Sequence, residues 1–504
     1  MVQGAYLVFG RGPSPAVARR VAAAARKIEA APPPWLLDWI PAYDSIFLEL
    51  DATAVSCPRL EAWAKKLVLE EGGEGEAERL VELPVRYDGP DLADVAERAG
   101  IEPEEVVRLH AGTEYRVYAV GFTPGFPFMA ELPPPLRMPR RPTPRARVPA
   151  HSVGLAGAQT GVYPQESPGG WNLIGRTLVR VYDPHRDPIF LLQPGDRVRF
   201  LPAEGEVPPP PELVEVLGRE ARPLLRVLEP GLLTLPLDRG RFRAGRYGLA
   251  RSGPMDARAF EAATRMVGGA ATALELNLVG PLLEALEEVT VALAGIGPGY
   301  DGNWGRTVTL RKGETLDLRR PGPGARSYLA LPGGFALERF MDSASPDLKG
   351  RIGRPLAAGD VLRQEASTQA RRLARTWSPV PLEPREGPVR LRILPGPQAD
   401  AEALASLTAA TFRVGHADRM GLRLEGASVP GGEVTSEGVP LGAVQVPPGG
   451  APMLLLADRG TIGGYAKPAV LHPADLPRAG QLKEGDRVRF VLAKNAPAYC
   501  TVAL

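Results

Sequence analysis

The sequence has few cysteines and lacks the short motifs that identify several common enzyme classes. Its two cysteines, Cys57 and Cys500, lie far apart and outside any CxxC or Cys/His spacing, which argues against a disulfide framework and a zinc site. No G-x-x-x-x-G-K-[ST], GxSxG or Met-Lys-Met motif occurs, so we expect no Walker loop, no nucleophile elbow and no biotinylated lysine. These absences predict two free cysteines, no metal site and a reducing, cytoplasmic setting.

The chain also lacks an excess of charge of one sign. Its 504 residues include 60 Lys and Arg against 58 Asp and Glu, a formal net charge of +2. Because the two signs are interleaved, no overall field would draw the molecule onto nucleic acid or an anionic membrane. No apolar stretch reaches the roughly 18 residues of a membrane helix. We therefore predict no nucleic-acid and no membrane partner, and the length predicts three or four domains.

The first 86 residues alternate between strand and helix patterns. The predicted order is strand (Tyr6 to Phe9), helix (Pro15 to Ala30), strand (Ser45 to Leu50), helix (Cys57 to Glu71) and strand (Arg79 to Arg86). This order is typical of a small α+β sandwich, so residues 1–86 predict a ferredoxin-like domain. Residues 91–111 then predict two short helices.

From Tyr115 onward, short β patterns between glycines and prolines indicate barrels or sandwiches. Residues 121–177 show almost no periodicity, which predicts a functional loop system. The hexapeptide GDRVRF occurs at 195–200 and again at 485–490, and this repeat indicates related barrel modules. A proline run predicts an extended linker. The predicted division is a barrel (87–203), a linker (204–225) and two β modules (226–385 and 386–504).

The loop sequences resemble a known family. In the first half, GFTPGFPFM, PRRPTPRARVPAHSVGLAG and QTGVYPQESPGGWNLIGRT resemble KipI, the B component of prokaryotic ATP-dependent 5-oxoprolinase. After Val227, segments such as HADRMGLRLEG and ADRGTIGGYAKPAV resemble KipA, the C component. The chain is thus similar to a fusion of the 5-oxoprolinase B and C subunits, and also to the carboxyltransferase region of urea carboxylase. The resemblance implies a mainly β fold with α+β parts and a cyclophilin-like β-barrel in both halves.

The resemblance also implies a function. It suggests hydrolysis of 5-oxo-L-proline to L-glutamate, coupled to ATP hydrolysis with Mg²⁺, in a complex with a separate A subunit of the LamB/YcsF family. The chain alone would then be nearly inactive. Two alternatives remain open: a carboxyltransferase component of a biotin-dependent urea or amide carboxylase, and a non-enzymatic histidine-kinase regulator of the KipI/KipA type. Exposed barrel edges would favour a homo-oligomer.

The family motifs supply the candidate site residues. The resemblance implies substrate-binding roles in the first half for Gln159, Thr160, Tyr163 and Arg176. In the second half it implies catalytic roles for Lys467, Asp458 and Glu437, and substrate-binding roles for Arg419, Gln445 and Tyr465. A phosphoryl or carboxylate group would need such cations, and a base or metal role would need such carboxylates. Structural ion pairing and loop anchoring remain the alternative interpretations of these residues.

Four positions depart from the family pattern. His151 stands where relatives usually have Gly, Ala417 stands where Ser is common, and Gly460 and Ile462 replace two polar side chains before GGY. If those polar side chains touch substrate in relatives, this chain has another substrate or a weakened site.

Overall fold

The computed structural model describes residues 4–51, 53–69, 79–299, 305–365, 387–494 and 499–504. The predicted helix end at Glu71 and the predicted module boundary at 385 therefore lie outside the described residues. Within the described ranges, no helix is long and apolar enough to cross a membrane.

The first half contains twelve strands and four helices within the described residues. The strands are β1 (Gly4–Val8), β2 (Leu36–Pro41), β3 (Ser45–Leu50), β4 (Leu80–Arg86), β5 (Glu114–Val120), β6 (Pro127–Ala130), β7 (Arg145–Val148), β8 (Ser152–Ala156), β9 (Gln159–Val162), β10 (Ser167–Gly169), β11 (Asn172–Thr177) and β12 (Arg197–Pro202). The helices are α1 (Pro15–Ala30), α2 (Cys57–Leu69), α3 (Leu92–Ala99) and α4 (Pro103–Ala111).

The described part of the second half adds eighteen strands and three helices. The strands are β13 (Arg222–Glu229), β14 (Leu233–Leu237), β15 (Ala273–Asn277), β16 (Leu282–Ala285), β17 (Val289–Gly295), β18 (Arg306–Leu310), β19 (Thr315–Asp317), β20 (Arg326–Ala330), β21 (Val361–Gln364), β22 (Val389–Pro395), β23 (Thr411–Ala417), β24 (Gly421–Glu425), β25 (Glu433–Gly438), β26 (Ala443–Val446), β27 (Met453–Leu455), β28 (Ile462–Leu471), β29 (Arg487–Leu492) and β30 (Tyr499–Ala503). The helices are α5 (Ala257–Met266), α6 (Ala401–Ala409) and α7 (Leu476–Ala479).

The N-terminal sheet has the strand order β2-β3-β1-β30. Its last strand comes from the opposite end of the chain, and β30 runs parallel to β1 from the Gly4 and Tyr499 pair to the Val8 and Ala503 pair. The strand predicted at Arg79 to Arg86 exists as β4, but it pairs in the following barrel rather than in this sheet. The ferredoxin-like prediction for residues 1–86 thus assigned β4 to the wrong sheet and missed β2, because strand pairing across hundreds of residues leaves no local pattern.

The prediction of two free cysteines is wrong. Cys57, at the start of α2, is bonded to Cys500 in β30, with the two Cα atoms 6.2 Å apart. The two residues are 443 positions apart in sequence, and they come together only because β30 returns to the N-terminal sheet.

The first barrel closes in the order β11-β4-β12-β5-β6-β9-β8. All six strands from β6 to β11 lie within residues 127–177, where the sequence predicted a loop system. That prediction is wrong because these strands span only three to six residues each, too few to show an alternating pattern. The barrel core includes Leu83, Val117, Leu155 and Phe200, and α3 and α4 add Val95 and Val106 to it.

The second barrel has the order β22-β29-β23-β24-β27-β26-β28 and is closed by pairing of β22 with β28. In both barrels the GDRVRF strand, β12 or β29, lies parallel to the first barrel strand and antiparallel to the next one. Each Asp of the repeat also accepts a hydrogen bond within its own turn: Asp196 from Gln193 N at 2.8 Å and Asp486 from Lys483 N at 2.9 Å. The prediction of related barrel modules in both halves is confirmed.

A two-sheet module lies between the barrels in sequence. Its sheets, β19-β16-β13-β21 and β14-β15-β20-β17-β18, share one apolar core that includes Val227, Leu283 and Leu329. Helix α5 packs Phe260 and Met266 against a second apolar cluster of the five-stranded sheet. We call this unit the middle module.

The predicted linker is only partly an extended connection. Strand β13 begins inside it at Arg222, Val216 is buried, and Val214 N donates to Arg351 O at 2.9 Å. The residues after the proline run therefore pack on the middle module, because backbone pairing there is available despite the prolines before it.

Candidate functional site

A cavity of about 620 Å³ lies where the three parts of the chain meet. The loop after β5 contributes Phe122 and Pro124, and the middle module contributes residues that include Asn277, Leu278 and 347–349. The second barrel contributes the segments 417–420, 458–460 and 482–484. The volume is within the range of small-molecule binding sites, which commonly lie at such junctions.

A buried ionic network forms one wall of this cavity. Arg419, in the turn between β23 and β24, donates to both carboxylate oxygens of Asp458, at 2.8 and 3.0 Å. It also donates to Glu275 of β15, whose other oxygen accepts from Tyr328 at 2.7 Å. Arg326 of β20 lies 3.8 Å from Glu275. The network thus joins the second barrel to the middle module.

The pKa shifts of Glu275 and Arg419 favour their charged forms. Burial opposes ionisation of Glu275, but Arg419 and Arg326 outweigh burial and lower its pKa. Burial likewise opposes the charge of Arg419, but Asp458 and Glu275 outweigh it and raise the Arg419 pKa. The predicted substrate-binding Arg419 and catalytic Asp458 therefore lie on the cavity wall as partners in a compensated ion pair.

Lys349 is a further cation that lines the cavity. Within the described residues its ammonium makes no hydrogen bond and no salt bridge. Surrounding protein lowers the pKa of Lys349, and the carboxylates of Asp347, Asp458 and Asp418 oppose that shift. Asp347 itself accepts backbone hydrogen bonds from Gly350 at 2.8 Å and Ala250 at 3.1 Å. Lys349 is an exposed residue that lines the cavity, so its ammonium faces solvent and its donors remain available to a ligand.

The mouth of the cavity is apolar. Eleven large hydrophobic side chains are exposed in the described structure, and five of them line this one cavity: Phe122, Leu232, Leu278, Leu348 and Met420. Exposed apolar side chains are ordinary when scattered, but their concentration at one opening indicates a binding surface.

A second cluster surrounds Lys467 of β28, outside the cavity wall. Its ammonium lies 2.9 Å from Glu437 of β25 and donates to Tyr465 O at 3.0 Å. Gln398 completes the cluster, because it donates to Glu437 at 2.8 Å and accepts from Lys467 N at 3.0 Å. Burial lowers the pKa of Lys467, and Glu437 opposes that shift. The structure therefore brings together the predicted catalytic Lys467 and Glu437, but separates them from Asp458 by placing them in different clusters.

Two predicted substrate-binding residues border this second cluster. Gln445 is buried on β26, and its amide nitrogen lies 2.8 Å from the place a Cβ on Gly463 would occupy, so a side chain at position 463 would displace the Gln445 amide. Tyr465 pairs across the sheet with Glu433 and supplies the carbonyl that Lys467 contacts.

The four first-half candidates all lie away from the cavity wall. The Thr160 hydroxyl bonds to His110 at 2.9 Å inside the first barrel, and Arg176 pairs with Asp88 at 2.7 Å on its outside. Tyr163 packs in an aromatic cluster against Phe126, with ring centroids 5.0 Å apart.

The fourth, Gln159, lies beside the Tyr43 hydroxyl. Burial raises the pKa of Tyr43, and Gln159 partly opposes that rise. Each of the four therefore has a partner from its own half. Their substrate-binding roles stay predictions, and none of the four lines this cavity.

The four positions named above as departures have distinct places. Ala417 and Gly460 line the cavity, and Ile462 packs in the aromatic cluster of the first half, so the segments 121–177 and 417–468 meet. His151 is buried with φ 68°, a left-handed conformation that glycine adopts without strain. Burial lowers the His151 pKa to about 4.

Sequence reasoning missed Glu275, Arg326 and Lys349. Glu275 lies in the LELNLVGP segment, one of the KipA-like stretches, and Lys349 is one of only eight lysines in the chain. Rarity of lysine was therefore a usable signal, whereas nothing local marks Arg326 among the many arginines.

Comparisons with known proteins agree with this division of the chain. The family model "Carboxyltransferase domain, subdomain C and D" matches residues 2–192, and "Carboxyltransferase domain, subdomain A and B" matches residues 247–492. A crystal structure of TTHA0988 is 52% identical, covers 97% of this chain and all of its own, and superposes with a TM-score of 0.91.

Curated relatives match one half each. The 5-oxoprolinase B subunit of Escherichia coli O157:H7 is 50% identical over 147 residues, which is 29% of this chain and 66% of that protein. The B subunit of Bacillus subtilis is 40% identical over 195 residues, 36% of this chain and 81% of that protein. The C subunit of Escherichia coli K12 is 32% identical over 291 residues, 53% of this chain and 91% of that protein. The chain therefore belongs to the family of the 5-oxoprolinase B and C subunits, with the counterparts of both in one polypeptide.

Proposed function

We propose that this chain is the fused B and C component of an ATP-dependent 5-oxoprolinase, which hydrolyses 5-oxo-L-proline to L-glutamate together with a separate A subunit. The observation that carries the proposal is that one chain matches the B subunit and then the C subunit, with a cavity where the two halves meet. The partner is taken to be an A subunit of the LamB/YcsF family.

The chemistry explains why ATP is required. A lactam is a poor electrophile, and ATP, when bound with Mg²⁺, would supply a phosphoryl group to the amide oxygen that activates the carbonyl carbon for addition of water. The C–N bond would then break with the nitrogen leaving as the amine of glutamate, and hydrolysis of the remaining acyl phosphate would release phosphate. Within the described residues no group of three or more His, Cys, Asp or Glu is placed to hold a metal ion. Magnesium in nucleotide sites commonly takes only one or two protein carboxylates. Asp418 and Glu484 at the cavity edge, which contact His416 at 3.5 and 3.1 Å, would be the carboxylates for such an ion, and Lys483 at the same edge would be a cation for phosphate oxygens.

The residues of the chain would then have separate tasks. Arg419 and Asp458 hold the cavity wall in place, and the exposed apolar side chains at its mouth exclude water once a partner or substrate covers them. Glu437, which Gln398 and Lys467 orient, lies outside this cavity, so a role as the base for water attack requires that the substrate also reaches this second cluster.

Reconstitution tests the proposal. The purified chain, its cognate A subunit, ATP, magnesium and 5-oxo-L-proline are mixed, and glutamate and ADP are measured over time. We expect equal amounts of both products, and almost none when either protein or ATP is omitted. No glutamate from well-folded partners would refute the proposal.

A second candidate function follows from the family models, which describe both halves as carboxyltransferase subdomains. In that case the chain would transfer a carboxyl group from carboxybiotin to urea or a related amide. Avidin distinguishes the two functions, because it would stop a biotin-dependent transfer and leave lactam hydrolysis unchanged. Activity only after addition of a biotin carrier and biotin carboxylase would favour this second candidate.

A further inference from the structure

We propose that the cavity holds a small ring compound that carries a carboxylate, with Lys349 receiving the carboxylate and Phe122 and Leu278 enclosing the ring. The inference rests on the proposed function, for which it names the substrate site and two kinds of contact.

Two strained turns bring apolar side chains to the cavity. Phe122 has φ 66° and is the middle residue of a three-residue turn, in which Thr123 N donates to Gly121 O at 2.7 Å. Leu278 has φ 59° in the same kind of turn, in which Val279 N donates to Asn277 O at 2.6 Å. Such turns with a positive central φ are rare and strained, and bulky residues seldom adopt them.

Burial does not compensate this strain. Phe122 and Leu278 each keep 38% of their surface exposed, although one comes from the first half and the other from the middle module. Backbone strain of this kind persists where the surrounding structure enforces it, and it concentrates at functional sites. Both turns place their central side chain on the same cavity wall, so the two side chains form an apolar clamp.

The cations that line the cavity differ in the hydrogen bonds and salt bridges they already make within the protein. Arg419 and Arg326 share Glu275, and Arg459 donates to Val439 O at 2.8 Å. Lys483 donates to Gly322 O at 3.4 Å.

Lys349 is the one of these five cations that makes no hydrogen bond or salt bridge within the described residues. An ammonium with three free donors beside an apolar surface is suited to a carboxylate on a compact ring. The nearby Asp347, Asp418 and Asp458 disfavour a second negative group beside Lys349 itself. 5-Oxo-L-proline, a five-membered lactam with one carboxylate, has the matching chemistry.

The first test is a thermodynamic cycle between Lys349 and the carboxylate of the ligand. Calorimetry on the full chain compares 5-oxo-L-proline with 2-pyrrolidinone, the same ring without the carboxylate. We expect Lys349→Gln to weaken 5-oxo-L-proline binding about 10- to 100-fold, the range of a charge-assisted hydrogen bond, and to leave 2-pyrrolidinone unchanged. Lys349→Arg should restore most of the loss. Lys312→Gln, in the exposed turn before β19, is the matched control and should have no effect.

The second test concerns the clamp. Glycine adopts the backbone of Leu278 without strain, so Leu278→Gly should not lower the melting temperature, yet it should raise KM for 5-oxo-L-proline several-fold. Leu228→Gly, at an equally exposed leucine of β13, should lower the melting temperature and leave KM unchanged. A merely structural Leu278 would give the opposite pattern.

The outcomes separate this inference from the proposed function. If the complex releases glutamate and Lys349→Gln has an unchanged KM, the inference is wrong and the function stands. If the complex is inactive but the chain binds 5-oxo-L-proline through Lys349, the function is wrong and the inference stands. Equal loss of both ligands in Lys349→Gln also overturns the inference, and absence of both binding and turnover overturns the two together.

Discussion

Lys467 shows how burial limits the roles open to a single residue. Its side chain is fully buried, and the described contacts of its ammonium are Glu437 and a backbone carbonyl. A buried ammonium is costly unless a carboxylate compensates it. A structural ion pair and a catalytic pair would both need Lys467 and Glu437. The free energy of unfolding and the activity therefore have to be measured on the same variants.

A double-mutant cycle separates the two roles. We expect Lys467→Gln and Glu437→Gln each to reduce the free energy of unfolding by roughly 3–5 kcal/mol, because each leaves a buried charge unpaired, and the double variant to recover part of that. If Glu437 is the base, kcat of the complex should fall at least about 100-fold at temperatures where the Glu437→Gln variant is folded. Activity that merely follows the folded fraction would contradict a catalytic role.

Asp38 gives a prediction about pH. It accepts backbone hydrogen bonds from Trp39 and Gly245, yet burial and then Glu49 raise its pKa to about 7. The folded state therefore holds a proton that the unfolded state has lost, so stability falls as pH rises from about 4 to about 7. Because of Asp38, the free energy of unfolding of the wild type should be roughly 2–3 kcal/mol lower at pH 8 than at pH 5. Asp38→Asn should abolish this contribution, as measured by chemical denaturation at both pH values.

Asp94→Asn is the control for this measurement, because Asp94 is exposed on α3. It should leave the pH dependence of stability unchanged. A wild-type pH profile that Asp38→Asn does not alter would show that Asp38 stays ionised when buried.

Among the secondary-structure elements, two neighbouring strands and two turns carry the charges that join the modules. Glu275 is on β15 and Arg326 on β20, neighbouring strands of the middle module, whereas Arg419 and Asp458 lie in turns of the second barrel. Because Glu275 is fully buried between two arginines, its carboxylate adds an ionic link between two modules that also share apolar packing at Met255.

Removal of that charge should loosen the connection between the modules. Glu275→Gln leaves Arg419 and Arg326 undercompensated, and we expect roughly 3–5 kcal/mol lower stability, seen as an earlier first transition in calorimetry. Glu287→Gln removes an exposed partner of Arg222 and should leave the melting curve unchanged. Equal curves for wild type and Glu275→Gln would show that the network does not hold the modules together.

Local signals predicted some elements and not others. Helix α1 was predictable because Ser14 caps it, Pro15 begins it, and its apolar residues recur at helical spacing. The strands of residues 127–177 were not predictable, because they are stabilised by pairing with other strands rather than by their own composition. The partners of Gln159, Thr160, Tyr163 and Arg176 could not be predicted for the same reason.

In the whole molecule, the first and last described strands, β1 and β30, lie side by side in one sheet. Strand β30 completes the N-terminal sheet, and the bond between Cys57 and Cys500 holds it there. Asp38 of the first half also accepts a hydrogen bond from Gly245 of the second. The two halves are therefore interlocked and not merely connected by residues 204–221.

Cleavage of the connection tests this interlock. A protease site placed at Gly205, in the exposed start of the connection, should give two fragments that remain together in gel filtration, even under reducing conditions. A Cys500→Ser variant, cleaved in the same way, should behave identically, because the sheet and the cavity contacts remain. Separation of the fragments in reducing buffer would show that the disulfide alone joins the halves.

The family motifs and the GDRVRF repeat are local properties, and they were enough to predict the family and the two related barrels. Which of the polar residues meet depends instead on tertiary packing. It joined β30 to β1, paired Cys57 with Cys500, and placed Phe122, Leu278 and Lys349 around one cavity. Such contacts depend on the packing of segments hundreds of residues apart, and no local pattern encodes that packing.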